Sequence, residues 1–291
     1  MTTSSGKRAA LSGALLMLPT TVFLVVFFVL PNLYLIAFSL FARMESEGLV
    51  YGFSFENYRR AFGVELYVSV LLRTVWMGFA AALISIFFAY PLAIAIARGG
   101  FFGRIVTLVV VVPLLVNVVI RSYAWSQVLS RNGALNWMLT NILAVENPPQ
   151  LLYTEWAVLT ASVHVFLPFM VLPLSAAIGN ISPDVLDAAR IAGAGRIRSL
   201  MRVIVPLSIP GLAVGLSLVF SLTSAAYVTP QILGGNFSPL IGTLIYQQVM
   251  ALNDWPFGAA LASLLIIMVL AINLVFLKGA ERVSARWTSG I

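Results

Sequence analysis

Residues 182–206 read SPDVLDAARIAGAGRIRSLMRVIVP, and four arginines and two aspartates sit here between two long apolar runs. The stretch opens as a helix. Ser182 can cap it, Pro183 fits the first turn, and Asp184 suits the positive end of the helix. Val185, Leu186, Ala189 and Ala192 then fall on one face at helical spacing. Gly193 and Gly195 end that helix. A second short amphipathic helix is expected beyond them. Ile197, Leu200, Met201 and Ile204 form its apolar face, with Arg196, Arg198 and Arg202 on its polar face. Pro206 marks the entry to the next apolar run. The apolar faces need cover, either from the bilayer interface or from a groove on a partner. The residues alone leave both open.

Outward from this loop the chain is apolar for most of its length. A helix crosses roughly 30 Å of hydrocarbon with about 20 residues. Six stretches qualify: Ala14 to Phe38, Thr74 to Ala97, Ile105 to Leu129, Ala157 to Ile178, Leu207 to Tyr227, and Phe257 to Leu277. Backbone groups in lipid must bond internally, so each is read as a helix. The expected fold class is all-α, a polytopic membrane protein with six transmembrane helices. It is read as one transmembrane domain over residues 1–291, with a core near 70–280 and the polar loop at 180–206. Lys7 and Arg8 precede the first run as in a signal peptide. The run continues past Phe38 with no small-residue cleavage site, which predicts an uncleaved helix. Pro91, Pro113, Pro168 and Pro173 lie inside spans and are expected to shape or kink them.

Eleven of the 17 basic residues fall on the side of the 180–206 loop and six on the other. The positive-inside rule places the first set, and both termini, in the cytoplasm. Phe41 to Ser69 then forms an external loop of mixed charge.

Composition excludes several functions. Of 291 residues 60% are hydrophobic and only 9% charged, too few to cover a water-facing surface. There is no cysteine and a single histidine, His164, so disulfides, thiolate chemistry and clustered-histidine metal sites are ruled out. The net charge of +7 follows the flanks of the apolar runs and does not point to nucleic acid. No phosphate-binding Gly-x-x-x-x-Gly-Lys-[Ser/Thr] loop occurs, so this chain cannot hold ATP that way. No Asp or Glu lies inside a span, and no Ser–His protease motif is present.

The 182–206 loop resembles the signature loop of binding-protein-dependent ABC importer permeases. That pattern is Glu-Ala-Ala, three residues, Gly, nine residues, then Ile-x-Leu-Pro. This chain has Asp187-Ala188-Ala189, Gly193 and Val203-Ile204-Val205-Pro206 at the same spacing. Asp replaces Glu, and Val replaces Ile and Leu, which keeps charge and apolarity. Leu30-Pro31-Asn32, the run from Arg121 to Trp125, Leu167-Pro168-Phe169-Met170 with Pro173-Leu174, and the run from Asp254 to Gly258 resemble the spermidine/putrescine permease subfamily. Together these motifs extend over nearly the whole chain.

The resemblance implies a type I importer of the bacterial inner membrane. It brings a second permease subunit, identical or different, two cytoplasmic ATPase subunits carrying ATP and Mg, and an external substrate-binding protein. This chain would carry no cofactor or metal and no catalytic residue. Asp187 would make polar contacts in the ATPase cleft, Ala188 and Ala189 would allow close approach, and Gly193 would make the corner. Val203, Val205 and Pro206 complete the motif.

A polyamine solute calls for carboxylates and aromatic faces along the path. Tyr123, Trp125, Tyr227, Asp254 and Trp255 are the candidates near the external end. Trp and Tyr also anchor helices at membrane interfaces, which needs no solute. The rival reading from another class is a secondary transporter or channel with no ATPase partner. His164 would be its ionisable group.

Overall fold

The computed structural model describes residues 16–45, 48–235 and 238–288. Lys7, Arg8, Ala14 and Glu47, and the side chain of Arg286, lie outside the described residues. Five helices are long and apolar enough to span a membrane: α1 (Leu16–Phe41), α3 (Glu65–Arg98), α7 (Glu155–Gly179), α9 (Arg196–Ala225) and α12, of which Trp255–Ser284 forms the apolar span. The described part of α12 continues to Thr288. A sixth span exists only if a sharply bent pair is counted as one: Gly100–Leu115 and Val118–Asn141 meet at 103°.

Helix α9 is central, packing against α3, α7 and α12, while α1 lies on the outside of α12. The α3 surface that faces the core is small: Ala81, Ala82 and Ala89 are fully buried. Against it pack Val158, Val165, Met170 and Leu174 of α7 and Val219 and Phe220 of α9, all fully buried as well. Small residues let backbones approach closely where no hydrophobic effect drives helices together in lipid. At the α7–α9 crossing, a Cβ on Gly211 would lie 2.4 Å from Ala177 Cβ and 2.6 Å from the Pro173 carbonyl oxygen. Outward-facing side chains are equally apolar, with Leu72, Trp76 and Phe87 of α3 exposed by 67%, 64% and 78%. Water would not tolerate such a surface, whereas hydrocarbon suits it.

The run Ile105–Leu129, expected as one span, is not straight. Helix α4 (Gly100–Val111) tightens into a 3₁₀ turn at Val112–Leu115, which contains Pro113. Val116 and Asn117 are extended, and α5 (Val118–Leu129) starts afresh, followed by α6 (Ala134–Asn141). Asn117 caps α5, its Oδ1 accepting from Val119 N at 2.8 Å. Pro91, Pro168 and Pro173 lie within continuous helices. Of the four prolines, only Pro113 sits at a break.

The second amphipathic helix is also not separate. Residues 196–225 form one helix, with a π turn at Leu200–Ile204 just before Pro206. The Val205 N–H reaches back to the Leu200 carbonyl. The wider turn lets the helix continue past a residue that has no N–H to donate. At the other end of the bundle, the Phe41–Ser69 stretch contains more than a loop. Strands β1 (Ala42–Glu45) and β2 (Gly48–Tyr51) pair antiparallel, and α2 (Glu56–Gly63) follows. Asn57 ties the two together, its Nδ2 donating to the carbonyls of Ser39 and Ala42 at 2.8 and 2.9 Å.

Candidate functional site

Helix α8 (Pro183–Ile191) hangs between α7 and α9 at one end of the bundle. Its N-terminus forms as the sequence predicts, with Ser182 Oγ accepting from Asp184 N at 3.3 Å. Its C-terminus explains the motif spacing. Gly193 has φ +78°, Gly193 N donates to the Arg190 carbonyl at 2.9 Å, and Ala194 N donates to the Ala189 carbonyl at 2.9 Å. These two bonds define a Schellman ending, with Ala189 at C3 and Gly193 at C′. Two alanines followed four positions later by glycine are therefore the residues of one helix terminus.

The helix presents a polar and apolar outer surface. Asp187 and Ala188 are exposed, as is Ile191 at 88%. Asp187 holds Arg190 at 2.8 Å in an exposed i,i+3 pair. Ala189 and Leu186 are half-buried. Ile197 and Met201 add further exposed apolar area at 79% and 61%. Val203 and Val205 are half-buried, and Pro206 is buried in the bundle. Of the seven loop positions singled out in the sequence, the first two face outward and the last three root the loop in α9.

The opposite end carries the five solute-path candidates, and the structure divides them into three groups. Tyr123 on α5 is exposed and lines a cavity of about 590 Å³ with Ser126, Gln127, Tyr153 and Gln231. Trp125, on the same helix, donates its Nε1–H to His164 Nδ1 at 3.1 Å. An accepting Nδ1 means a neutral imidazole with its proton on Nε2. Tyr227 opens the short helix α10 (Val228–Leu233) and stacks on Tyr246, centroids 5.4 Å apart. Tyr246 ends α11 (Ile241–Tyr246). Gln127 follows Tyr123 by one turn on α5, whereas Tyr153, Gln231 and Tyr246 come from separate segments that no spacing in the sequence links to the candidates.

The third group is Asp254 and Trp255. Asp254 is buried and fully engaged. Its Oδ1 caps α12 by accepting from Phe257 N at 3.2 Å, and its Oδ2 accepts from Arg60 Nη1 at 2.7 Å. The Arg60 guanidinium also lies 4.0 Å from the Phe257 ring centroid. Burial is the largest single influence on Arg60 and works against its charge, but the interactions with Asp254 and Tyr67 together outweigh it and hold the pKa above the ordinary arginine value. This carboxylate therefore fastens α2 to the start of α12. Trp255 Nε1 donates to Asn253 Oδ1 at 2.8 Å and its ring is half exposed. Asp254→Ala removes a cap and a part-buried ion pair. The expected loss is about 2 kcal/mol of stability, read as a lower unfolding temperature in detergent. An Arg60→Ala, Asp254→Ala double variant that destabilises by the plain sum of the two would show that the pair is not coupled.

The elements together make a multi-pass membrane bundle with an amphipathic helical loop at one end. A family model described as the binding-protein-dependent transport system inner membrane component matches residues 89–288. The spermidine/putrescine transport system permease protein PotB of Escherichia coli (strain K12) is 33% identical over 259 residues, 89% of this chain and 94% of that protein. PotB of Salmonella typhimurium (strain SL1344) is 33% identical over 269 residues, 92% of this chain and 93% of its own. In structure, a chain of the bacterial alginate ABC transporter in complex with alginate pentasaccharide-bound periplasmic protein superposes with a TM-score of 0.75. It does so at 21% identity, with 96% of each chain covered. The chain belongs to the family of binding-protein-dependent transport system inner membrane components. It is a permease subunit of an ABC importer, a multi-pass inner membrane protein and not an enzyme.

Proposed function

We propose that this permease passes a polyamine or related small amine from an external binding protein to the cytoplasm. In this reading it works with a second permease subunit, and the energy comes from ATP and Mg on two separate ATPase subunits. The observation that carries the coupling half is α8: a helix locked by its Schellman ending that exposes Asp187, Ala188 and Ile191, with nothing among the described residues to cover them. Asp187 makes polar contacts in the ATPase cleft, Ala188 and Ala189 keep the two surfaces close, and Gly193 sets the angle of the helix. Val203, Val205 and Pro206 pass its movement into α9, which packs on α3, α7 and α12. The loop end, and with it both termini, faces the cytoplasm. The likeness to PotB over about nine tenths of the chain supports the choice of solute. Tyr123, Trp125, Tyr227 and Trp255 offer aromatic faces to a cation, and Asp254 contributes by holding the outer end together.

The test is uptake of labelled putrescine or spermidine into proteoliposomes containing the full complex and the binding protein. Uptake that requires enclosed ATP and is competed by other amines supports the proposal. ATP-driven uptake competed only by solutes without an amino group would refute the solute assignment while leaving the importer intact. His164 is the ionisable group of the rival, proton-coupled mechanism, but Trp125 already occupies its Nδ1. His164→Gln is expected to leave uptake within about twofold of the parent, as for loss of one neutral hydrogen bond. Complete loss of uptake at normal membrane levels would restore the proton relay.

A further inference from the structure

Arg121 sits on α5 one turn past the break at Asn117. Its Nη1 donates to the carbonyl of Val165 at 3.2 Å, and its buried Nε has no partner. Val165 is ten residues into the 25-residue helix α7. At 1.5 Å per residue it lies about 15 Å from the Glu155 end and about 21 Å from the Gly179 end. Arg121, which the charge count puts with the six basic residues of the external side, thus meets α7 well inside its spanning length. Guanidinium does not deprotonate in proteins and carries five N–H donors. One peptide oxygen does not neutralise it, and an unpaired charge at this depth is expensive.

Among the described residues no carboxylate pairs with Arg121. Four of the five other arginines of the same half have carboxylates: Arg43 has Glu45, Arg59 has Glu56, Arg60 has Asp254, and Arg73 has Glu155 at 2.8 Å. Among the described residues, every Asp and Glu of a span lies at or near its end: Glu65, Glu155, Asp254 and Glu281. A second copy of the chain in the same orientation would again place its carboxylates at the membrane surfaces. His164, beside Arg121, offers no free acceptor. His164 precedes the Val165 that takes the guanidinium, its Nδ1 is used by Trp125, and only its Nε2–H remains. The lone guanidinium also stands in the first turns of a helix, where the backbone already presents positive charge.

We infer that Arg121 is a carboxylate-receiving position on the spanning face of this permease, and that another molecule brings the carboxylate. Two sources have that chemistry: an acidic side chain in a span of a different second permease, or the carboxylate of a solute that is both amine and acid. The second source deepens the amine assignment proposed above and rests on it; the first does not.

The experiment compares the parent complex with Arg121→Gln and Arg121→Lys. It measures recovery of the second permease on purification, and uptake of putrescine and of 4-aminobutyrate, an amine without and with a carboxylate. If the partner supplies the acid, Arg121→Gln lowers recovery of the second permease and both uptakes roughly tenfold or more, and Arg121→Lys restores part of each. If the solute supplies it, recovery is unchanged and only 4-aminobutyrate uptake falls by that factor. Unchanged recovery and uptake in Arg121→Gln would overturn the proposal. Should Arg121→Gln not reach the membrane, Arg121→Lys decides: the proposal expects it to assemble, and failure of that charge-preserving variant would assign Arg121 to packing instead. Uptake of neither probe by the parent would count against the amine reading. Recovery then decides alone, and no change in it overturns the inference.

Discussion

Replacing Gly193 with valine is expected to lower ATP-driven uptake by roughly tenfold or more while the chain stays in the membrane. The cause is conformational. The φ of +78° at Gly193 lies where a β-branched residue is strained, at a cost of about 1–3 kcal/mol. Space is not the issue, because a Cβ there would meet nothing within 4 Å. The helix end would relax, the bonds from Gly193 and Ala194 would open, and α8 would lose its fixed angle to α9. Asparagine tolerates this backbone region better than other residues with a side chain. Gly193→Asn should therefore retain most of the uptake. Equal loss with Asn and Val would mean that bulk at the corner matters, through contact with a partner, and not the backbone angle. Normal uptake with valine would count against α8 as the coupling element.

The second large effect is expected inside the bundle. Gly211→Leu should prevent accumulation of folded permease, because backbone and Cβ atoms of α7 already occupy the place of its side chain. Neither Pro173 O nor Ala177 Cβ can swing aside as a flexible side chain would. The α7–α9 crossing would have to widen, and overpacking of this kind costs about 3 kcal/mol or more. Gly211→Ala should show a weaker form of the same defect. The readout is the yield of monodisperse protein in mild detergent and its unfolding temperature. A Gly211→Leu protein with parental yield and unfolding temperature would show that this crossing can widen at little cost.

The loop was the most legible part of the sequence. Cap, helix and glycine corner are local, and Ser182 and Gly193 take the positions expected of them. Five of the six expected spans were legible as single helices, because about 20 apolar residues have few other uses, and the sixth is the bent pair. The shape of that pair was not legible. A run from Ile105 to Leu129 has the same hydropathy whether straight or bent by 103°, and Asn117 in the middle of it was the available sign of a new helix start. Pro206 suggested a boundary that a π turn removes. The solute-path candidates were read by residue type, which cannot see pairing across the fold. Asp254 had the chemistry to meet a cation, but Arg60, 194 residues earlier in the chain, already holds it. Tyr227 does lie in an aromatic pair, with a partner that no periodicity connects to it.

The coupling role of α8 is tested most directly by purifying the tagged chain from its own host in mild detergent and identifying what accompanies it. Stoichiometric recovery of an ATPase with a phosphate-binding loop is predicted, together with its loss when Asp187, Ala188 and Gly193 are altered in a chain that remains folded. Recovery of this chain alone, still able to move solute without ATP, would contradict the account.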